Sequence, residues 1–138
     1  MQTVNELIKS DDDNTLSFGD FTLKTKSKKE NFKFKGDLYN VKTYNEITRL
    51  EKNDGFLYES VPGTSVFNLK FNKNEVSFKV VGNVDSQITI GLEENTDYCV
   101  KIGKEDVGCM KTGIGGKLNL SIELNPDKAV DVEIFKNN

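Results

Sequence analysis

Histidine and tryptophan are both absent from this sequence. With no imidazole there is no triad of the Ser-His-Asp kind, no side chain that ordinarily titrates near neutrality, and no zinc site with His ligands. Acid–base catalysis would fall to an Asp, Glu, Lys or Cys with a strongly displaced pKa, and no spacing picks one out. Arginine occurs once, as Arg49, beside eighteen lysines. The planar guanidinium fork that grips phosphates and carboxylates at two points is therefore scarce. No apolar run approaches the roughly 18 residues of a membrane span. The stretch Met1 to Ser10 has neither the basic start nor the apolar core of a secretory signal, which predicts a cytoplasmic protein with no membrane partner.

Charge is plentiful but unbiased. The formal net charge is −3; residues 1–60 carry 10 basic and 11 acidic side chains, and residues 61–138 carry 9 and 11. Neither half has the positive excess by which a nucleic-acid binder displaces counterions, so no nucleic-acid partner is expected. At 138 residues the chain is long enough to bury a core of Phe, Val, Ile and Leu without a metal or a disulfide.

What the sequence does have is periodicity. Val4, Leu7 and Ile8 follow helical i, i+3, i+4 spacing and predict an amphipathic helix over about residues 2–9. A helix that short must dock on something: it covers one end of the sheet, or it docks on another subunit, which makes these three residues candidates for self-association. After Ser10-Asp11-Asp12-Asp13-Asn14 the period becomes two. Leu16 and Phe18, then Gly19-Asp20, then Phe21 and Leu23 read as a tight hairpin. Phe32 and Phe34 lead through Gly36-Asp37 to Leu38–Tyr44, and Ile47–Glu51 leads through Asn53-Asp54-Gly55 to Phe56–Ser60. Asn-Asp-Gly between alternating strands is the strongest hairpin signal in the chain.

Val61-Pro62-Gly63-Thr64 interrupts this pattern, because proline is poorly tolerated in a central strand. It predicts a boundary between a helix-and-hairpin region, 1–60, and a second unit, 61–138, unless the two form one continuous domain. The second part alternates regularly through Phe67/Leu69/Phe71, Val76/Phe78/Val80, Ile88/Ile90/Leu92, Tyr98/Val100/Ile102, Val107/Cys109, Leu118/Leu120/Ile122/Leu124 and Val130/Val132/Ile134. Seven short strands with closely spaced turns predict a mainly β protein with an Ig-like antiparallel sandwich at its C-terminal end.

The runs Gly36–Lys52, Phe56–Thr64 and Gly115–Leu124 resemble a group of short clostridial β-rich proteins that have no assigned mechanism, some of which are labelled endosialidase. The likeness spans nearly the whole chain. Tyr98–Leu124 also resembles the closing meander of Ig-like modules on bacterial surface and carbohydrate-active proteins.

The residues themselves offer little catalysis. Glu93-Glu94, Glu105-Asp106 and Asp11-Asp12-Asp13 are neighbours in turns, whereas a glycosidase needs two carboxyls converging across a cleft. Counted from Asp11, the positions where an EF-hand needs Gly and Glu are Leu16 and Thr22, so no calcium loop is read there. Gly113-Ile-Gly-Gly116 precedes a strand, not a helix, and is a turn, not a phosphate loop. No catalytic residue, cofactor or metal is expected. If Ile102 and Val107 both face inward, Cys109 lies opposite Val100 and Cys99 faces away, giving two free thiols suited to a reducing cytoplasm; a one-residue slip would put the two cysteines opposite each other. Lys24, Lys26, Lys33 and Lys35 would line one surface if their strands paired, and could meet an anionic polymer. The alternative is that they guard an edge hairpin against aggregation. Tyr39, Tyr44, Tyr58 and Phe135 are the aromatics whose facing the pattern leaves open. The expectation is a non-catalytic structural or protein-interaction protein that self-associates or binds a protein partner; the alternative is a carbohydrate- or anionic-polymer-binding module.

Overall fold

The computed structural model describes residues 3–137. It is mainly β: among these residues there are thirteen strands in two antiparallel sheets, and one 3₁₀ turn at Asn5–Leu7. In chain order the strands are β1 (Ile8–Ser10), β2 (Leu16–Phe18), β3 (Ser27–Phe34), β4 (Asp37–Thr43), β5 (Thr48–Lys52), β6 (Gly55–Val61) and β7 (Thr64–Phe71). They continue as β8 (Glu75–Gly82), β9 (Ser86–Gly91), β10 (Asp97–Ile102), β11 (Glu105–Lys111), β12 (Lys117–Ile122) and β13 (Val130–Lys136). Sheet A has the order β1-β2-β7-β8-β13-β10-β11, and sheet B the order β12-β9-β6-β5-β4-β3.

Most of the alternating stripes in the sequence turn one side inward, and the two inner faces share one core. Sheet A contributes Leu16, Phe18, Val66, Phe78, Val100 and Val132; sheet B contributes Val41, Leu50, Ile88, Ile90, Leu118 and Leu120. Tyr58 of sheet B bridges the sheets, edge-on to Phe18 at 5.1 Å and to Phe78 at 5.8 Å. Such edge-to-face pairs add about 0.5–1.5 kcal/mol beyond the area they bury.

Beside Tyr58 lies a buried network of hydroxyls. Thr43, Thr48, Ser60 and Thr64 are all inaccessible. The Thr48 hydroxyl donates to the Thr64 carbonyl (2.7 Å) and accepts the Thr64 N–H (3.0 Å). With its proton used there, Thr48 accepts from Thr43 (2.8 Å), which in turn accepts the Asp20 N–H (2.9 Å). The Thr64 hydroxyl joins Tyr58 (2.7 Å) and Ser60 (2.8 Å). Burial raises the Tyr58 pKa, so its phenol stays protonated and available as a donor. Every hydroxyl here has a partner, as an inaccessible polar group requires.

Four expectations from the sequence change. Residues 5–7 make only one turn, because Glu6 and Leu7 take positive φ (58° and 72°), and Ile8 then starts β1 opposite Phe18. Three apolar residues in five positions fit either period, and pairing with β2 supplies ladder hydrogen bonds that a lone helical turn lacks. Val4 and Ile8 are each 2% exposed, and Leu7 packs on the core, so the proposed self-association residues belong to the protein's own interior. Gln2, where the expected helix would begin, lies outside the described residues.

The Gly19-Asp20 hairpin does not form. Phe21 is buried beyond β2 in a segment that crosses to sheet B, where the Leu23 carbonyl accepts from Asn45 N–H at 2.8 Å. Phe67 does not share a face with Leu69: Asn68 has φ +57°, which puts a bulge in β7 and leaves Phe67 opposite Lys79 on the outer side.

Finally, Cys99 and Cys109 are directly opposite and disulfide-bonded, with Cα atoms 3.9 Å apart. The inserted residue is Val107: Gly108, at φ +102°, pairs with Val100, while Asp106 pairs with Lys101. That bulge turns Val107 out to solvent and shifts Cys109 into register with Cys99.

All seven strands expected in 61–138 are present, β7 to β13, but they divide five to sheet A and two to sheet B. β9 pairs with β6 and β7 pairs with β2, so strands from either side of Val61-Pro62-Gly63 complete both sheets. The segment is a crossover between sheets. The Val61–Pro62 peptide is cis, and a Cβ on Gly63 would fall 2.0 Å from the Tyr44 carbonyl oxygen, so only glycine fits that crossing.

Candidate functional site

The four lysines expected to share a surface lie at the two ends of one strand. Lys24 and Lys26 are in the loop before β3; Lys33 is near its end and Lys35 just beyond it. At ~3.3 Å per residue the two pairs stand on the order of 20 Å apart. Lys26 lies 6.0 Å from the Tyr44 ring and Lys35 lies 5.3 Å from Phe34, so each pair meets its own aromatic neighbour. Of the aromatics left open by the pattern, Tyr39 and Tyr58 are buried, and Tyr44 and Phe135 are half-buried.

A hollow of about 600 Å³ lies on the outer face of sheet A and is lined in part by Lys70, Lys79, Lys101, Lys104, Asp131 and Glu133. Lys79 is already paired with Asp131 at 3.5 Å. The side chains whose ionisation the fold displaces all lie elsewhere. Asp37 is held below the ordinary carboxylate range by a hydrogen bond from Asn53, with Lys52 adding to it. Tyr39 is pushed up to about 12 by burial, and Tyr44 is raised by a hydrogen bond to Glu46. These are structural contacts. Among the described residues no three His, Cys, Asp or Glu side chains are grouped to hold a metal ion, and no helix is long and apolar enough to cross a membrane.

Arg49 is also committed. It sits on the outer face of sheet B, 3.7 Å from Glu51, 3.5 Å from Glu59 and 5.5 Å from the Phe56 ring. Lys117 approaches the same ring at 4.7 Å, and Phe56 itself rests on Gly91, where a Cβ would meet the Phe56 carbonyl oxygen at 2.5 Å.

The sheet borders differ sharply. A border strand carries a row of unpaired N–H and C=O groups that invites another strand, and proteins blunt it with shortness, charge, bulges or cover. Three of the four borders are blunted. β1 has three residues. β3 exposes Lys28, Lys29 and Lys33, and its ladder is broken at Asn31, which takes φ +58°. β11 carries the Gly108 bulge.

β12 has none of these devices except one lysine at its start. Its six residues pair with β9 in unbroken register, from Lys117↔Gly91 to Ile122↔Ser86. Leu118, Leu120 and Ile122 are buried beneath it, so the core is closed under this border. On the outer side Thr89 donates to Asn119 (2.7 Å) and Ser121 donates to Gln87 (2.9 Å), holding both β12 side chains against β9. Gly116 starts the strand at φ +71°, its Cα so close to Leu92 that a Cβ would lie 2.1 Å from that carbonyl oxygen. The border is regular in register and, among the described residues, unpaired on its outer side.

In sequence Leu118–Leu124 is one regular stripe among several, and nothing in it marks β12 as a border. That depends on which strands neighbour it. Compared with protein-family models, curated proteins and solved structures, the chain matches none.

Proposed function

We propose that this is a non-catalytic interaction protein that assembles by adding a strand to the β12 border of sheet B. The observation that carries the reading is the contrast among borders: three are protected and the fourth is regular, bulge-free and preorganised by its own side chains. Strand addition takes its affinity from main-chain hydrogen bonds and its specificity from alternate side chains, so it needs no cleft and no unusual residue. The Cys99–Cys109 bond removes the free thiols on which a reducing compartment was partly argued; such bonds persist in oxidising surroundings, and we place the working protein there.

The test is the mass in solution by light scattering over a hundredfold range of concentration, for the protein and for Ser121→Pro. Proline at 121 removes an N–H on the open side of β12 and spares the ladder to β9. A concentration-dependent oligomer that Ser121→Pro abolishes, with the β circular dichroism intact, is expected. A monomer throughout would refute assembly. The second reading, a module for an anionic or carbohydrate polymer, would then rest on the lysine-lined hollow of sheet A.

A further inference from the structure

The backbone geometry of β12 determines which of its groups are open. Leu92 N–H donates to the Gly116 carbonyl at 2.8 Å. In an antiparallel ladder alternate residues turn both backbone groups to the same neighbour, so Gly116, Leu118, Leu120 and Ile122 face β9. Lys117, Asn119, Ser121 and Glu123 turn theirs outward. Leu124 agrees with this phase, its N–H reaching Asp85 on the β9 side at 3.2 Å.

We infer that the strand added to β12 is β12 of a second copy, in an isologous pair whose two-fold axis passes Leu120; this rests on the strand-addition reading above. Antiparallel self-pairing requires that outward residues meet outward residues. With the axis at Leu120, Lys117 meets the partner's Glu123 and Asn119 meets the partner's Ser121. The reciprocal contacts follow by symmetry, and all four outward residues of each copy exchange backbone hydrogen bonds. On the inner face Leu118 meets the partner's Ile122, and the two Leu120 side chains meet each other, continuing the core stripe across the join.

Other axes do worse. An axis at Asn119 sets Lys117 against Ser121, and one at Ser121 sets Glu123 against Asn119, so no opposite charges meet. An axis at Leu118 or Ile122 leaves part of the outward row without a partner. Only the Leu120 register uses the whole row from 117 to 123 and places opposite charges at both ends. Opposite charges in directly facing positions favour a strand pair, and like charges oppose it. Ile114, 93% exposed in the turn entering β12, adds apolar surface next to the join. Two copies joined this way share one continuous sheet containing six strands from each.

The test uses Lys117→Glu and Glu123→Lys, each measured alone and as an equimolar mixture by sedimentation equilibrium, with circular dichroism as a fold check. Alone, each variant faces itself with two like-charge pairs, and dimerisation weakens about tenfold or more. On mixing, the carboxylate introduced at position 117 of one variant meets the ammonium introduced at position 123 of the other. At the opposite end the first variant's unaltered Glu123 meets the second variant's unaltered Lys117. A heterodimer therefore forms with affinity close to that of the unaltered protein. Unchanged dimers in the single variants would overturn this register while leaving strand addition at β12 standing. Weakened single variants with no rescue on mixing would also overturn it. A monomeric unaltered protein would remove both readings together.

Discussion

Thr64→Val tests the claim that the junction between the sheets is held by hydroxyls and not by shape. Valine keeps the volume and branching of threonine and leaves the backbone bonds between Thr64 and Thr48 in place. What it removes is the Thr64 hydroxyl, the shared partner of Tyr58 at 2.7 Å and Ser60 at 2.8 Å. Both of those groups are buried, and a stranded buried hydroxyl costs about 1–3 kcal/mol. With both hydroxyls losing this partner, the expected loss is about 2–6 kcal/mol. That is a large part of a typical domain stability of about 5–15 kcal/mol.

The assay is urea unfolding followed by far-ultraviolet circular dichroism, with Thr64→Ser as the control that keeps the hydroxyl. Tyr58→Phe is expected to cost about 1–2 kcal/mol alone and much less in the Thr64→Val background, because removing both partners of a buried bond leaves nothing stranded. A Thr64→Val loss below about 0.5 kcal/mol, or strictly additive single and double variants, would refute the reasoning.

Two further outcomes are expected. Replacing Cys99 and Cys109 together by Ser lowers stability by about 1–3 kcal/mol, in keeping with the short loop the bond closes; the unaltered protein, unfolded without reductant, should show no thiol to a colorimetric reagent. Two reactive thiols there would refute the bond. On raising the pH, Tyr39 and Tyr58 resist ionisation because the fold disfavours their charged forms. Their unfolded pKa is about 10, so stability from this source is complete below pH 10 and is lost as the pH climbs toward 12 and beyond. Part of the tyrosinate absorbance in the near ultraviolet should therefore appear only as the β dichroism collapses. Ionisation of all four tyrosines near pH 10 with the fold intact would contradict this.

Long alternating segments were legible from sequence because burial imposes their period. β3 to β6, with Asn53-Asp54-Gly55 at the turn, and β7 to β13 all occur where alternation placed them. Features set by one residue or by distant neighbours were not. Three apolar residues at Val4, Leu7 and Ile8 cannot distinguish helix from strand, and pairing with Phe18 decides for the strand. One extra residue at the Gly108 bulge reverses the facing of Cys109. Thr43, Thr48, Ser60 and Thr64 look like surface residues in any apolar pattern, and only the crossing of two sheets buries them. The candidate border needed the full strand order, because β12 reads in sequence like the interior strands beside it. The lysine set failed for a related reason: its four members lie along one strand and its flanks, not on two paired strands.

Among the described residues β13 comes after every other strand, yet it lies inside sheet A between β8 and β10. Val132 and Ile134 fill the core from there, and its ladders run from Val130↔Val80 on one side to Tyr98↔Lys136 on the other. During synthesis the fold therefore stays unfinished until residues near 136 have left the ribosome. Until then β8 and β10 each present a bare border in the middle of the future sheet, and a nascent chain in that state is open to mispairing with its neighbours. A chain that lacks β13 has a split sheet, so this one strand decides whether sheet A is a single surface or two.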